Sequence, residues 1–362
     1  MFDQLTIPQR FQSHTKNQYL TVRIDTWSDI ESFFQGVSSE QWVFRGQDDS
    51  SFKLWTSLER FGKNSGESIE EVAIKKFKED ARNYSEVNEY NPQTTFEWLC
   101  IMQQYGISTR LLDFSFSPFV ALFFAYNSLF NNNKDVGVWA VNKEWCKSTA
   151  IERIKKIKGY DNIDYNADLT GETAFNDIFL NNYQHGINFV YPVEIAKGRL
   201  KRLDKQQAVF LCQGNTDEGV EENLLFEDND RCNFNSSQLR AERSKFIIKF
   251  VLSGYLRSAV LNELKTRKIT FDVLFDSLDQ YGYFIVRQLL IIDGMGIVEK
   301  SKINYVDSNR NMILDRLIKS GVVYDDPNVR VNPNLDQKED LVREIAQDKF
   351  KQIWAILQQS RY

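Results

Sequence analysis

The 362 residues are 42% hydrophobic, 14% aromatic and 26% charged, which is enough apolar side chain for a substantial buried core and excludes a disordered chain. A net charge of -5 and a pI near 5.4 exclude a global basic field, so any nucleic-acid contact needs a local patch. Four cysteines without a C-x-x-C pair, beside only two histidines, argue against a structural zinc site and read as buried thiols of a reducing compartment.

The opening residues carry no basic stretch followed by an apolar one, which predicts a cytoplasmic protein without a signal peptide. Asp25 to Phe34 predicts a helix capped by Thr26 or Ser28, with Ile30, Phe33 and Phe34 on one side. Gln41 to Gly46 has strand composition, and Gly46 with the following Gln47, Asp48, Asp49 and Ser50 marks the turn that ends it. Arg45 is therefore expected at a strand's exit. Ser68 to Tyr84 predicts an amphipathic helix, acidic early and basic late. Thr94 or Thr95 is placed to cap a helix over Phe96 to Tyr105, with Glu97 in its first turn and Gly106 at its end.

Ile107 to Ser115 reads as a short irregular segment, after which Ser117 and Pro118 open an apolar helix over Phe119 to Leu129. The apolar run from Phe114 to Ala125 is well short of the roughly 20 residues that span a membrane, so no membrane partner is expected. Strands are predicted at Val136 to Val141, Phe189 to Ile195, Gln206 to Cys212 and Phe246 to Val251, with a helical, basic insertion over Asn142 to Asp168. A helix over Ser258 to Thr266 and an apolar piece at Val273 to Leu278 close this body. Beyond residue 285 the texture changes, with helices predicted over Asn311 to Lys319 and Lys338 to Gln358.

Polar side chains concentrate between the two apolar helices, at Gln103, Gln104, Tyr105, Thr109, Arg110 and Asp113. Such groups are costly there unless they bond one another or a ligand. Arg110 and Asp113, three apart, are candidates for a charge-assisted pair, and Thr109 for a cap or a phosphate donor. Arg45 beside Gly46 suits a fixed guanidinium facing a phosphate or carboxylate, or an arginine that anchors a neighbouring loop. Gln206 and Gln207 open a strand, where one amide points inward as a core group or a ligand reader.

Taken in order, Trp42 to Gln47, Trp55 to Arg60, Glu97 to Pro118 and Ala121 to Ala125 resemble an FRG domain, named for the triplet found here at Phe44 to Gly46. Arg202 with Gln206 to Phe210, and the segment from Leu261 to Leu278, extend the resemblance over residues 22–285, leaving 286–362 as a partly helical accessory region. The resemblance implies a divergent ADP-ribosyltransferase-like fold of the α+β class: mixed or antiparallel split sheets flanked by helices, with a small, mostly helical C-terminal region. It also implies NAD as substrate, no metal, and a place in bacterial conflict or anti-phage systems.

On that model Arg45 meets the pyrophosphate and Tyr105 stacks on nicotinamide or ribose. Thr109 and Arg110 orient the ribose and phosphate, Asp113 holds Arg110, and Gln206 or Gln207 positions the acceptor. Gln47 and Gln104 complete the candidate ligand shell. The chain departs from the family pattern at Gln104 for a His, Ser108 for a Pro, Phe114 for a Trp and Ala208 for a Gly, and the lost imidazole removes the natural acid or base near neutral pH. Two alternatives remain open at this stage. One is a non-catalytic module that reads a nucleotide, nucleic acid or protein partner through the same pocket. The other is a metal-dependent nuclease using Asp48, Asp49 and Asp113.

Overall fold

The computed structural model describes residues 13–14, 19–35, 37, 40–61, 69–127, 134–156, 169–181, 186–225 and 245–275. Contacts divide the chain into residues 1–276 with 358–362, and residues 277–357. The helices expected beyond residue 285 lie outside the described residues.

The described body is α+β. One mixed sheet of eight strands runs in the order β1-β2-β8-β5-β3-β4-β7-β6. Its strands are β1 (Ser13–His14), β2 (Leu20–Ile24), β3 (Trp42–Gln47), β4 (Leu111–Ser115), β5 (Val136–Asn142), β6 (Val190–Val193), β7 (Ala208–Gln213) and β8 (Ile247–Leu252). β2 and β8 pair in parallel and every other neighbour pairs antiparallel. The expected split sheets are corrected to a single sheet with a narrow waist: β3 and β4 share one registered pair, Phe44 with Ser115, whereas β3 meets β5 over its full length.

The sheet buries both faces, which is why its strands read as nearly continuous apolar runs. On one face Leu111, Phe210, Cys212 and Tyr191 pack with Phe96, Leu99 and Cys100 of α5 (Thr95–Gln104) and with Phe175 and Ile178 of α8 (Glu172–Ile178). On the other, Val43, Leu112, Val209 and Trp139 pack with Cys146 of α7 (Lys143–Ile154) and with Val220 and Leu224 of α10 (Val220–Leu225). The cysteines at 100, 146 and 212 are buried free thiols.

Local signals set the helices that frame the waist. Thr94 accepts from the Glu97 N–H at 3.3 Å while the Glu97 carboxylate accepts from the Thr94 N–H at 3.3 Å, a reciprocal cap that starts α5. α6 (Pro118–Tyr126) begins with Pro118 in its first turn and the Ser117 hydroxyl accepting from the Val120 N–H. A third, short helix, α2 (Ser57–Phe61), carries the same device, with Thr56 and Glu59 each accepting from the other's N–H. Among the described residues no helix is long and apolar enough to cross a membrane.

Candidate functional site

Where β3 and β4 part, a cleft opens beneath α5 and α6. Its floor is β-sheet: Phe44 and Gly46 from β3, Asp113 and Ser115 from β4, Ala208 and Phe210 from β7. Gln103 and Gln104 line it from α5, Phe124 from α6, and Arg202 from α9 (Lys201–Lys205). The interior is about 50 Å³, room for on the order of four waters, and widens to about 660 Å³ when counted out to its mouth.

Arg45 belongs to the body of β3, not its exit, because the strand continues through Gly46 to Gln47. It is 4% exposed, and its Nη1 donates to the Asp113 carbonyl at 2.7 Å. That bond bridges the waist where strand pairing has lapsed. Gly46 does not serve ligand approach: a Cβ there would stand 1.9 Å from the Ala121 carbonyl oxygen, so its bare backbone lets α6 lie directly on β3.

Asp113 reaches the cleft from β4, and the segment expected to be irregular is a strand from Leu111 onward. Its Oδ2 accepts from Gln103 Nε2 at 3.0 Å. Burial pushes the Asp113 carboxyl above its ordinary range, against the opposing pull of Arg45, the Gln103 amide and Arg202. The Cys100 thiol at the same cleft is driven well up, chiefly by burial, which leaves it a poor nucleophile.

The expected pairing of Arg110 with Asp113 is corrected. Arg110 is 1% exposed, binds Glu70 of α3 (Ile69–Asp80), and donates through Nη1 to the Phe179 carbonyl at 2.5 Å. It is a core clamp away from the cleft. Thr109 is fully buried too; its hydroxyl donates to Gln103 Oε1 at 2.5 Å and accepts from the Leu111 N–H at 3.2 Å. Neither residue lines the cleft, so a direct role on a ribose or phosphate is not what their positions provide.

Tyr105, at the end of α5, is 55% exposed and does not line the cleft. Gln47 is spent within the protein, donating to the Lys53 carbonyl at 2.8 Å and accepting from the Trp139 indole at 2.8 Å. Gln206 does line the cleft, but its amide donates to the Leu274 carbonyl at 3.2 Å. Gln207 precedes the strand in a left-handed conformation, φ 48°, and is exposed. Of the proposed carboxylate trio, Asp113 alone faces the cleft; Asp49 instead holds the Ser51 N–H and hydroxyl and Lys134. Among the described residues no group of three or more His, Cys, Asp or Glu is arranged to hold a metal ion.

Residues 40–134 match the family model of the FRG domain. The chain contains an FRG domain. No curated protein and no solved structure gives a significant match. The FRG match runs from just before β3 to the segment after α6, so it carries Arg45, Gln103, Gln104 and Asp113, while Arg202, Gln206 and Phe210 lie beyond it.

The Phe44-Arg45-Gly46 triplet of the FRG domain divides three tasks. Phe44 is fully buried against Phe34, their ring centres 5.8 Å apart. Arg45 spans the waist to Asp113, and Gly46 admits α6. The triplet is marked in the sequence itself, whereas no local signal assigns a role to Arg202, whose place at the cleft depends on the short helix α9. Its guanidinium stacks 4.6 Å from the Phe275 ring centre and reaches the Gln104 carbonyl at 3.4 Å.

Proposed function

We propose that the FRG-domain cleft is a nucleotide-binding pocket, with NAD the ligand to which the family resemblance points. One observation carries this reading: two arginines, Arg45 from β3 and Arg202 from α9, are among the residues that line the same partly apolar cleft. Guanidinium forks match phosphate oxygens, and in low-dielectric surroundings each such bond is about twice as strong as a neutral one. Phe124, half-buried, keeps apolar surface for a ring beside them, whereas Phe44 and Phe210 are buried in the cleft's floor. A whole dinucleotide exceeds the interior, since such sites span about 300–1,000 Å³; the deep part therefore suits one sugar-phosphate end, with the remainder in the wider mouth.

The resemblance also points to ADP-ribosyl transfer, as part of bacterial conflict or anti-phage defence. Support for binding without turnover comes from the start of β7, where the Gln206 amide is tied to the Leu274 backbone and Gln207 turns away. Thermal shift and mass spectrometry with NAD, on the wild type and Arg45→Ala, test both readings. Melting should rise with NAD and the rise should vanish in the variant. Released nicotinamide or an added ADP-ribose mass, absent in the variant, establishes transfer, whereas a shift without turnover establishes a binding module. No shift with any nucleotide overturns the pocket assignment.

A further inference from the structure

The hydrogen bonds behind Asp113 form a relay whose direction is fixed at its buried end. The Leu111 N–H can only donate, and it does so to Thr109 Oγ1 at 3.2 Å. The Thr109 proton is thereby left for Gln103 Oε1, at 2.5 Å. With its oxygen committed, Gln103 presents Nε2 to Asp113, 3.0 Å from Oδ2, and makes a longer 3.4 Å contact with the Leu111 carbonyl. Leu111, Thr109 and Gln103 are all buried, and Asp113 is the member whose carboxyl reaches toward the cleft.

An apolar side chain at 109 would have left the Gln103 amide free to turn over and set its oxygen against the carboxylate. The relay removes that freedom and leaves one carboxyl orientation. The groups around Asp113 are Arg45 from β3, Gln103 and the Cys100 thiol from α5, and Arg202 from α9, with Phe210 opposite on β7. Two fixed cations repel a cationic donor from this carboxylate, so the partner that fits is a neutral one, and beside a phosphate that partner is a sugar hydroxyl.

We propose that Asp113 is the specificity-determining residue of the cleft, accepting hydrogen bonds from the hydroxyls of a phosphate-bearing sugar, and that Gln103 and Thr109 are its positioning residues. This rests on the nucleotide-pocket reading. It makes the deep part of the cleft a sugar-phosphate site, selective against phosphates that carry no hydroxyls.

Two probes separate this inference from the reading beneath it: ADP-ribose, which has ribose hydroxyls, and inorganic pyrophosphate, which has none. Calorimetric titration of the full chain should show ADP-ribose weakened on the order of tenfold or more by Asp113→Asn, with pyrophosphate affinity unchanged or improved. Thr109→Val should weaken ADP-ribose several-fold and move the acid limb of its binding curve to higher pH, because a carboxylate without the Gln103 N–H protonates more easily. Thr109→Ser should restore both. That rescue distinguishes positioning from general damage, and it stands if Thr109→Val proves unstable.

Equal weakening of the two probes by Asp113→Asn, or no effect on either, overturns the inference while the pocket reading survives through the loss of both in Arg45→Ala. Failure of wild-type protein to bind either probe overturns both.

Discussion

Arg110 and Glu70 form an ion pair inside the apolar core, with Arg110 Nε 2.5 Å from Glu70 Oε2 and the Arg110 N–H donating to Oε1 at 2.7 Å. The carboxylate takes both the side chain and the backbone of one residue, and so anchors the entry to β4 on α3. Glu70→Ala would leave a guanidinium buried with the Phe179 carbonyl and no counter-charge. The expected loss is about 3–5 kcal/mol. Urea unfolding should show it as a lower midpoint at unchanged slope, and a loss below about 1 kcal/mol would mean that water reaches the pair.

Gly46 is constrained by the helix above it. Its missing Cβ would fall 1.9 Å from the Ala121 carbonyl oxygen and 2.6 Å from the Ala125 nitrogen, both of them backbone atoms that cannot swing aside. Gly46→Ala should therefore push α6 off β3 and destabilise the fold by at least the roughly 1–3 kcal/mol of ordinary overpacking. A melting temperature within a degree or two of wild type would show that α6 is free to shift.

Thr94 offers a milder test of a local device. Thr94→Ala removes the acceptor for the Glu97 N–H, leaving the return bonds from Glu97 to the Thr94 and Gln93 N–H groups in place. The expected loss is about 0.5–2 kcal/mol, near the low end because half of the cap survives. Thr94→Ser should recover nearly all of it. Equal losses in the two variants would point to the threonine methyl instead of its hydroxyl.

These cases mark what was legible in the chain. The Thr94 cap, Pro118 at a helix start and the QWVFRG strand are local signals, and α5, α6 and β3 follow from them within a few residues. The partner of Arg110 was not legible, because Glu70 lies 40 residues earlier and reaches it through tertiary packing. Spacing suggested Asp113 instead, but three residues along an extended chain place side chains on opposite faces. The same alternation puts Leu111 and Asp113 on the α5 side of the sheet. Arg202 was visible as a motif residue, yet its position needed α9, a five-residue helix with no periodicity to announce it.

Tyr105 tests the ligand geometry from the outside. The resemblance gives it a stacking role, whereas its ring stands 55% exposed and does not line the cleft. Tyr105→Ala should therefore leave the Arg45-dependent thermal shift with NAD unchanged. A loss comparable to that of Arg45→Ala would mean that the end of α5 folds over the ligand when it binds.

Glu59 predicts how stability responds to acid. Its carboxylate accepts the Thr56 N–H at 2.6 Å and the Val220 N–H at 2.9 Å, tying the start of α2 to α10. Burial raises its carboxyl above the ordinary 4.5, and neighbouring Glu222 adds to this, while the Thr56 and Val220 bonds only partly oppose it. Between that raised value and 4.5 the folded state binds the proton before the unfolded state does, so this group adds stability as pH falls through the window and withdraws it as pH rises. Glu59→Gln cannot titrate. Whatever constant offset the substitution introduces, wild type should gain on the variant as the buffer moves from about pH 7 toward about pH 4.5, as read from paired urea unfolding curves. A gap that stays constant, or narrows, across that range would show that the carboxylate titrates as it does in the unfolded chain.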